Sequence, residues 1–542
     1  MFTWVACGLH GLQRLLQNGR VVPRARGRAT RELIMAMGYR PVDRDQMFLL
    51  PPDMREWLPA RHFVWFLLAV LDELDVSPFE ASRRLGSVGR QGYDPRMLLA
   101  LLIYAYATGQ RSSRRIEDLC VTDVAFRVIC AQDVPDHSTI ARFRKENREA
   151  LAALFVQVLE LAGESGLGRV GVVAVDGTRI AANASYGANR RRSWLRDQVD
   201  QMLGEADRVD AEEDVLFGED NPSQVAAPWS DPSTRVERIR AALARTERAA
   251  AQAAQAEERR VAARRARVEE SVERVAQQRG AAAARWEDYQ RRRAEADKQG
   301  SPPPTGRPPA PPEQAGGTRR ALARLAADQA RLADAEAAAA QAVSDPAANL
   351  TDPDSGWMPT GKGWIQGYNT QLAVSDDQIV LAVKVTNATV DVAQFEPMMT
   401  AAMQAADTLN RGRARVGSPP EPVELPLADA GYCSRHNLSV PGPDRLIGTA
   451  KRERLETASR TADDAKAAEE TDPIQAMKAR LATPEGISAY RRRGVTVEPV
   501  NGHLKDRHRL RQFSCRGIKA AQAEAELAAA TANLLKIWRC RN

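Results

Sequence analysis

The 542-residue sequence predicts an α/β domain on a five-stranded sheet, interrupted by a long α-helical hairpin and preceded by an all-α N-terminal domain. Three observations predict it. Apolar residues recur at spacings of three and four from about Met47 to Gly168, an Ala/Arg-rich stretch fills residues 194–345, and after Trp357 the apolar period changes to two.

A chain of this length is expected to hold two or three domains. Residues 1–46 stand apart, since the first 34 carry six arginines and a single acid, Glu32. That pattern superficially fits an organelle transit peptide, but the simpler reading is an extension whose true translation start is Met35, Met37 or Met47. Residues 47–168 follow as the helical domain, with "WFLLAVLDELDV" and "MLLALLIYAYATG" as its plainest amphipathic runs. Within it, the stretch from Ser112 to Leu151 reads as a helix, a turn around Pro135, and a second helix capped by Asp136 or Ser138. Arg142, Arg144 and Lys145 fall early on that second helix. A helix-turn-helix would bring them to a DNA groove or to phosphates, whereas an ordinary helical hairpin would leave them as a solvated basic face.

Residues 169–193 open the α/β domain with the strand "RVGVVAVDG". The insertion, 194–345, spaces Val236, Ile239 and Leu243, then Val261, Val268, Val272 and Val275, at near-heptad intervals, and sets Leu322, Leu325 and Leu332 on one side of a second helix. Between the two helices the Pro-rich residues 300–317 can form neither helix nor strand. Two long helices folded back on each other are therefore expected. From 346 to 542 the sheet resumes in "YNTQLAVS", "IVLAVKVTNAT", "VELPLADA" and "RLIGTA", with one helix between the second and third of these and two helical patterns closing the chain.

The net charge of +7 favours a polyanionic partner, and its distribution says more than its size. Between Tyr490 and Ala520 nine Lys/Arg stand against Glu498 and Asp506, so this segment alone equals the excess of the whole chain. The six cysteines form no CxxC pair, which argues against a disulfide framework or zinc ribbon and fits a reducing cytoplasm. No apolar run reaches the 18 or so residues of a membrane span, so no membrane partner is expected.

Carboxylates gather in an informative way. Asp176 is expected at the end of the first strand and Asp429 at the end of "VELPLADA", the sheet edge where α/β sites form. Glu498 falls on a later helix. Three converging carboxylates repel one another unless cations are bound, and hard cations such as Mg²⁺ take this kind of oxygen ligand together with substrate phosphates. A pair of such ions can activate an attacking oxygen and stabilise a leaving one in phosphoryl transfer. Each acid also has a plainer reading: Asp176-Gly177 as a type I′ turn, Asp429 as a turn residue before Gly431, Glu498 as a solvated helix acid. Their joint appearance favours the metal reading.

Three further patterns carry less. "GWMPTGKG" spaces its Gly and Lys like a phosphate-binding loop, but Gly363 stands where Ser or Thr should hold Mg²⁺, so no nucleotide cofactor is expected. Cys433 and His436 make at most half a zinc site. His503 and His508 lie amid Lys and Arg, where phosphate contact is the better expectation.

At these acids the sequence resembles the DDE-type insertion-sequence transposases, bacterial enzymes with a ribonuclease-H-like catalytic domain on a mixed sheet. Asp176-Gly177-Thr178 matches the family's first acid, Asp429-Ala430-Gly431-Tyr432 its second, and Tyr490, Arg493, Glu498 and Lys505 its Tyr-Arg-Glu-Lys signature. The Tyr490-to-Glu498 spacing is one residue longer than the general form, and Asn501 replaces an expected aromatic. The resemblance implies Mg²⁺-dependent DNA strand cleavage and transfer by Asp176, Asp429 and Glu498 with two ions, Mn²⁺ substituting. Tyr490, Arg493 and Lys505 would then contact phosphates, and the N-terminal helices would bind terminal inverted repeats. It also implies a homo-oligomer acting on element ends and target DNA, with a catalytically inactive, DNA-binding derivative as the alternative. Self-association helped by the Ala-rich hairpin is a further expectation.

Overall fold

The computed structural model describes residues 53–80, 92–201, 235–302, 304, 306–341, 345–361, 363–449 and 472–541, so the expectations for residues 1–46 lie outside the described residues. The N-terminal helices are α1 (Phe63–Glu73), α2 (Pro95–Ala107), α3 (Ser113–Thr122), α4 (Val124–Ile129), α5 (His137–Glu146) and α6 (Arg148–Glu164). Side-chain caps set several boundaries. Asp94 accepts from Arg96 N–H with Pro95 opening α2, and Asp136 accepts from Thr139 N–H at 2.9 Å to open α5. Asp123 ends α3 and accepts from the Ala125 and Phe126 N–H groups, so the single helix expected before Pro135 is two. Left-handed backbone at Ala131 and Gln132 then turns the chain toward α5.

These helices share one apolar core with the sheet and the last helix. Phe63, Leu99, Tyr106, Phe126 and Leu154 belong to one apolar cluster with strand residues Val173, Leu372 and Val383 and with Leu527 and Leu534 of the last helix, α12 (Ile518–Arg541). Every turn of "AAQAEAELAAATANLLKIW" is buried on several sides, and the small alanines let neighbours approach closely. The Phe63 and Trp538 rings meet edge to face with centroids 5.5 Å apart. On the other side α6 crosses α9 (Phe395–Arg415) at a point where a Cβ on Gly412 would overlap the Glu160 carbonyl and one on Gly163 the Leu409 carbonyl.

A histidine after the sheet ties the helical part to the α/β part. His508, 2% exposed, donates from Nδ1 to the Tyr106 carbonyl at 2.9 Å. Burial first, then the cations Arg507, His503 and Arg539, offset in part by this hydrogen bond, lower its pKa from 6.5 to about 4. The folded state thus holds this imidazole neutral while the unfolded chain protonates it, so its contribution is complete above about pH 6.5 and is lost as pH falls toward 4. The full effect is on the order of 3 kcal/mol. Urea titrations between pH 7.5 and 4 should show this loss, and His508→Gln should flatten it.

The main sheet has six strands among the described residues, one more than expected: β1 (Val172–Ala181), β4 (Gly356–Thr360), β5 (Gly363–Ser375), β6 (Val380–Thr386), β7 (Leu425–Ala428) and β8 (Leu446–Ile447). Its order is β4-β5-β1-β7-β8, with β6 also pairing β5. β1, β5 and β6 run antiparallel, whereas β1, β7 and β8 run parallel. A two-stranded ribbon, β2 (Asn189–Arg191) with β3 (Ala347–Asn349), closes the base of the insertion.

The insertion is a helical hairpin, as its composition predicts. α7 (Arg235–Lys298) has 64 residues, roughly 96 Å, and α8 (Gly316–Gln341) folds back along it. Arg265 pairs with Glu336 at 2.7 Å, Ser271 donates to Asp328 at 2.7 Å, and Arg279 pairs with Glu313. The expected seam holds in part: Ile239 is buried and Leu243, Val261, Val268, Val275, Leu325 and Leu332 are half-buried, whereas Val236, Val272 and Leu322 are exposed. Ala250, Ser271, Ala282, Ala321, Asp328 and Ala335 are buried as well, the small side chains among them allowing the helices to lie closer.

Candidate active site

Asp176 does not end its strand. β1 continues through Ala181, pairing with β5 as far as Gly367, so Asp176-Gly177 is not a turn. What stops at this point is the parallel neighbour: β7 pairs with β1 only from Val172 to Val175, opposite Leu425 to Ala428. Asp429, the next residue of β7's chain, therefore emerges beside Asp176. Its carboxylate accepts from Gly431 N–H at 2.9 Å and opens the turn Ala430–Tyr432. Gly177 must be small, since a Cβ there would come within 2.5 Å of the Gln371 amide and 2.7 Å of Asp391.

Over these strands lies α11 (Pro484–Asp506), which begins at a Thr483 cap and follows the shorter helix α10 (Pro473–Ala482). It brings Tyr490, Arg493, Glu498, Asn501 and Lys505 to the acids. Arg493 stands between two of them, with guanidinium nitrogens 3.7 Å from Asp176 and 3.7 Å from Glu498. The Glu498 side chain is 63% exposed, against 19% for Asp176, so it borders the pocket rather than filling it. Among the described residues no three of His, Cys, Asp and Glu are grouped as metal ligands.

Burial dominates the electrostatics here. It raises the Asp176 pKa to about 6, with Arg493 opposing and Asp429 and Asp391 reinforcing. Burial likewise lowers the Lys505 ammonium and raises the Tyr490 phenol, and both also respond to the Asp176 charge. The site residues thus share one field.

Two residues here escaped sequence reading. Asp391 accepts from Asn369 and Gln371, each at 2.7 Å, and from both terminal nitrogens of Arg179 at 3.3 Å. It lies after β6 (Val380–Thr386), an acid beyond a strand end like Asp429, but no motif marked it. Asn501, noted only as a replaced aromatic, donates from Nδ2 to Asp176 at 3.1 Å. One turn beyond Glu498 on α11, it fixes the orientation of the central carboxylate.

The basic residues of α5 divide. Arg142 and Lys145 are exposed, but Arg144, expected at DNA, turns inward and donates to the Arg111 carbonyl at 3.0 Å and the Tyr106 hydroxyl at 3.5 Å. Its guanidinium serves a polar cluster around the buried Glu524. Cys433 and His436 make no zinc site: His436 meets Glu396 at 2.9 Å instead. "GWMPTGKG" is the hairpin of β4 and β5, not a phosphate loop.

Comparison with known proteins gives two matches. Residues 52–146, which hold α1 to α5, match the family model described as a transposase domain (DUF772), and residues 456–538, which hold α11 and most of α12, match the transposase DDE domain. Tyr490, Arg493, Glu498 and Lys505 lie inside the second match, whereas Asp176 and Asp429 lie outside both. No curated protein and no solved structure matches the chain.

Proposed function

We propose that this chain, which its two domain matches identify as a DDE-type insertion-sequence transposase, hydrolyses DNA at the ends of its element and joins the freed 3′-hydroxyl to target DNA. The observation that carries this reading is the register that brings Asp429 out beside Asp176 where two parallel strands part, with Arg493 of α11 lying 3.7 Å from Asp176 and 3.7 Å from Glu498. The strand order and directions of the sheet support a ribonuclease-H-like domain for the same reason.

The residues suit a hard divalent cation. All the donors are carboxylate oxygens, and Asp176 is held in a partly desolvated pocket that already attracts the Arg493 cation. Asp176 and Asp429 would hold two Mg²⁺ ions, or Mn²⁺, with Glu498 completing the set. When bound, the ions lower the pKa of the attacking water and neutralise charge developing on the phosphate. Asn501 and the Gly177 N–H, 3.0 Å from Asp176 Oδ1, keep that carboxylate oriented. Arg493, Lys505 and Tyr490 would meet the phosphate oxygens, with Arg493 leaving its carboxylate partners to do so.

Arg142 and Lys145 on α5 would contact phosphates of the terminal inverted repeats, in a chain acting in the cytoplasm as a homo-oligomer on paired ends. The test is incubation with a supercoiled plasmid bearing the element ends and Mg²⁺. Nicks at the ends followed by strand-transfer products are expected, and tight end binding without cleavage in Mg²⁺ or Mn²⁺ would instead mark an inactive DNA-binding derivative.

A further inference from the structure

The β4–β5 hairpin carries chemistry that the active site does not use. Trp357 and Trp364 lie on its outer face, where the register sets Trp357 opposite Gln366 and Pro359 opposite Trp364. Met358 faces the other way and is fully buried. Tyr186, from the turn after β1, completes a cluster: its ring lies 4.2 Å from Trp357 edge to face, and Trp357 lies 5.8 Å from Trp364. Among the described residues these are the only exposed Phe, Tyr or Trp side chains, at 60%, 38% and 62% exposure, and all three stand together. Folding alone gives no reason to leave them in water.

The occupant follows from charge and position. The described parts of the two segments that present the rings, 185–192 and 356–361 with 363–364, contain Arg190, Arg191 and Arg192 and no acid. Exposed aromatic rings among cations suit a nucleic-acid strand, in which every base offers a π-face and every linkage an anion. Along β5, Asp176 pairs with Leu372 and Trp357 with Gln366. Six strand residues span roughly 20 Å, about the rise of six stacked nucleotides.

Resting on the DNA-processing reading above, we propose that Tyr186, Trp357 and Trp364 form a stacking platform for unpaired bases of a DNA strand, about six nucleotides from the phosphate at Asp176. The strand that leaves the cleavage site would be gripped there by its bases rather than by its sequence.

The test uses the full-length protein, a fluorescent single-stranded oligonucleotide and the duplex of the same sequence. Replacing both tryptophans (Trp357→Ala with Trp364→Ala) should weaken single-strand binding by at least about tenfold, leaving duplex affinity and melting temperature unchanged. The double Phe variant, which keeps a stacking face, should restore most of the loss. Unaltered single-strand affinity in the Ala variant, equal losses for both DNA forms, or a change in oligomeric state without a change in single-strand affinity would each overturn the platform. If wild-type protein nicks DNA and the Ala variant behaves like it, only the platform fails. If wild type binds neither DNA form, the DNA-processing reading fails with it.

Discussion

Asp176→Asn should abolish Mg²⁺-dependent nicking of end-containing DNA, a loss of roughly a thousandfold or more, while DNA binding and fold persist. The size follows from losing a charged ligand whose contribution to the transition state is several kcal/mol, each 1.4 kcal/mol or so being tenfold. The fold should survive because the amide is isosteric and its oxygen can still accept the Gly177 N–H. The new amide nitrogen would face the Asn501 Nδ2, but rotating the Asn501 amide presents an oxygen that is buried and otherwise without a partner. Asp429→Asn should behave alike, since that carboxylate accepts locally from the Gly431 N–H as a cap, a bond its amide oxygen can keep. Nicking of supercoiled plasmid, read beside electrophoretic mobility of labelled ends, separates catalysis from binding. Retained nicking in the Asp176 variant would refute the assignment.

Glu524→Ala should lower folding stability by about 3–5 kcal/mol, the cost of leaving the partners of a buried charge unpaired. Glu524 is 2% exposed on α12 and gathers groups from three parts of the chain. The Tyr106 hydroxyl donates to it at 3.1 Å and Arg111 pairs with it at 3.0 Å. The Ser514 N–H and hydroxyl each donate at 2.8 Å, and Cys515 at 3.1 Å. Removing the carboxylate takes the anionic partner from the Arg111 cation, 16% exposed, leaving it the Gln512 carbonyl at 2.6 Å, and loosens Arg144, whose other partners are Tyr106 and the Arg111 carbonyl. Glu524→Gln keeps the volume and part of the hydrogen bonding, so it should lose less. Urea unfolding followed by circular dichroism measures both, and a loss below about 1 kcal/mol in the Ala variant would show that the cluster is not a structural centre.

What could be read from the sequence follows from which forces are local. The period-two runs of β1, β5, β6 and β7 and the Ala/Arg hairpin declare themselves because side-chain periodicity is a property of a single element. β4 was missed because "GWMPT" reads as a glycine-rich loop until its partner β5 is known. The end of β1 was misplaced for a related reason: Asp-Gly is a turn signal in isolation, and here pairing with β5 overrides it. Arg144 looked like a DNA contact because helical spacing shows which face a residue occupies, not that Glu524, 380 positions away, waits beside that face. Asp391 and Asn501 belong to the site through contacts with distant strands, so no local pattern announces them.

The most direct measurement is anomalous diffraction from crystals of the protein equilibrated with Mn²⁺. Mn²⁺ bound jointly by Asp176 and Asp429 is expected, with Glu498 drawn in and Arg493 displaced from between Asp176 and Glu498. Manganese bound elsewhere at saturation, or an Arg493 that still bridges Asp176 and Glu498 with no metal between the two aspartates, would contradict it.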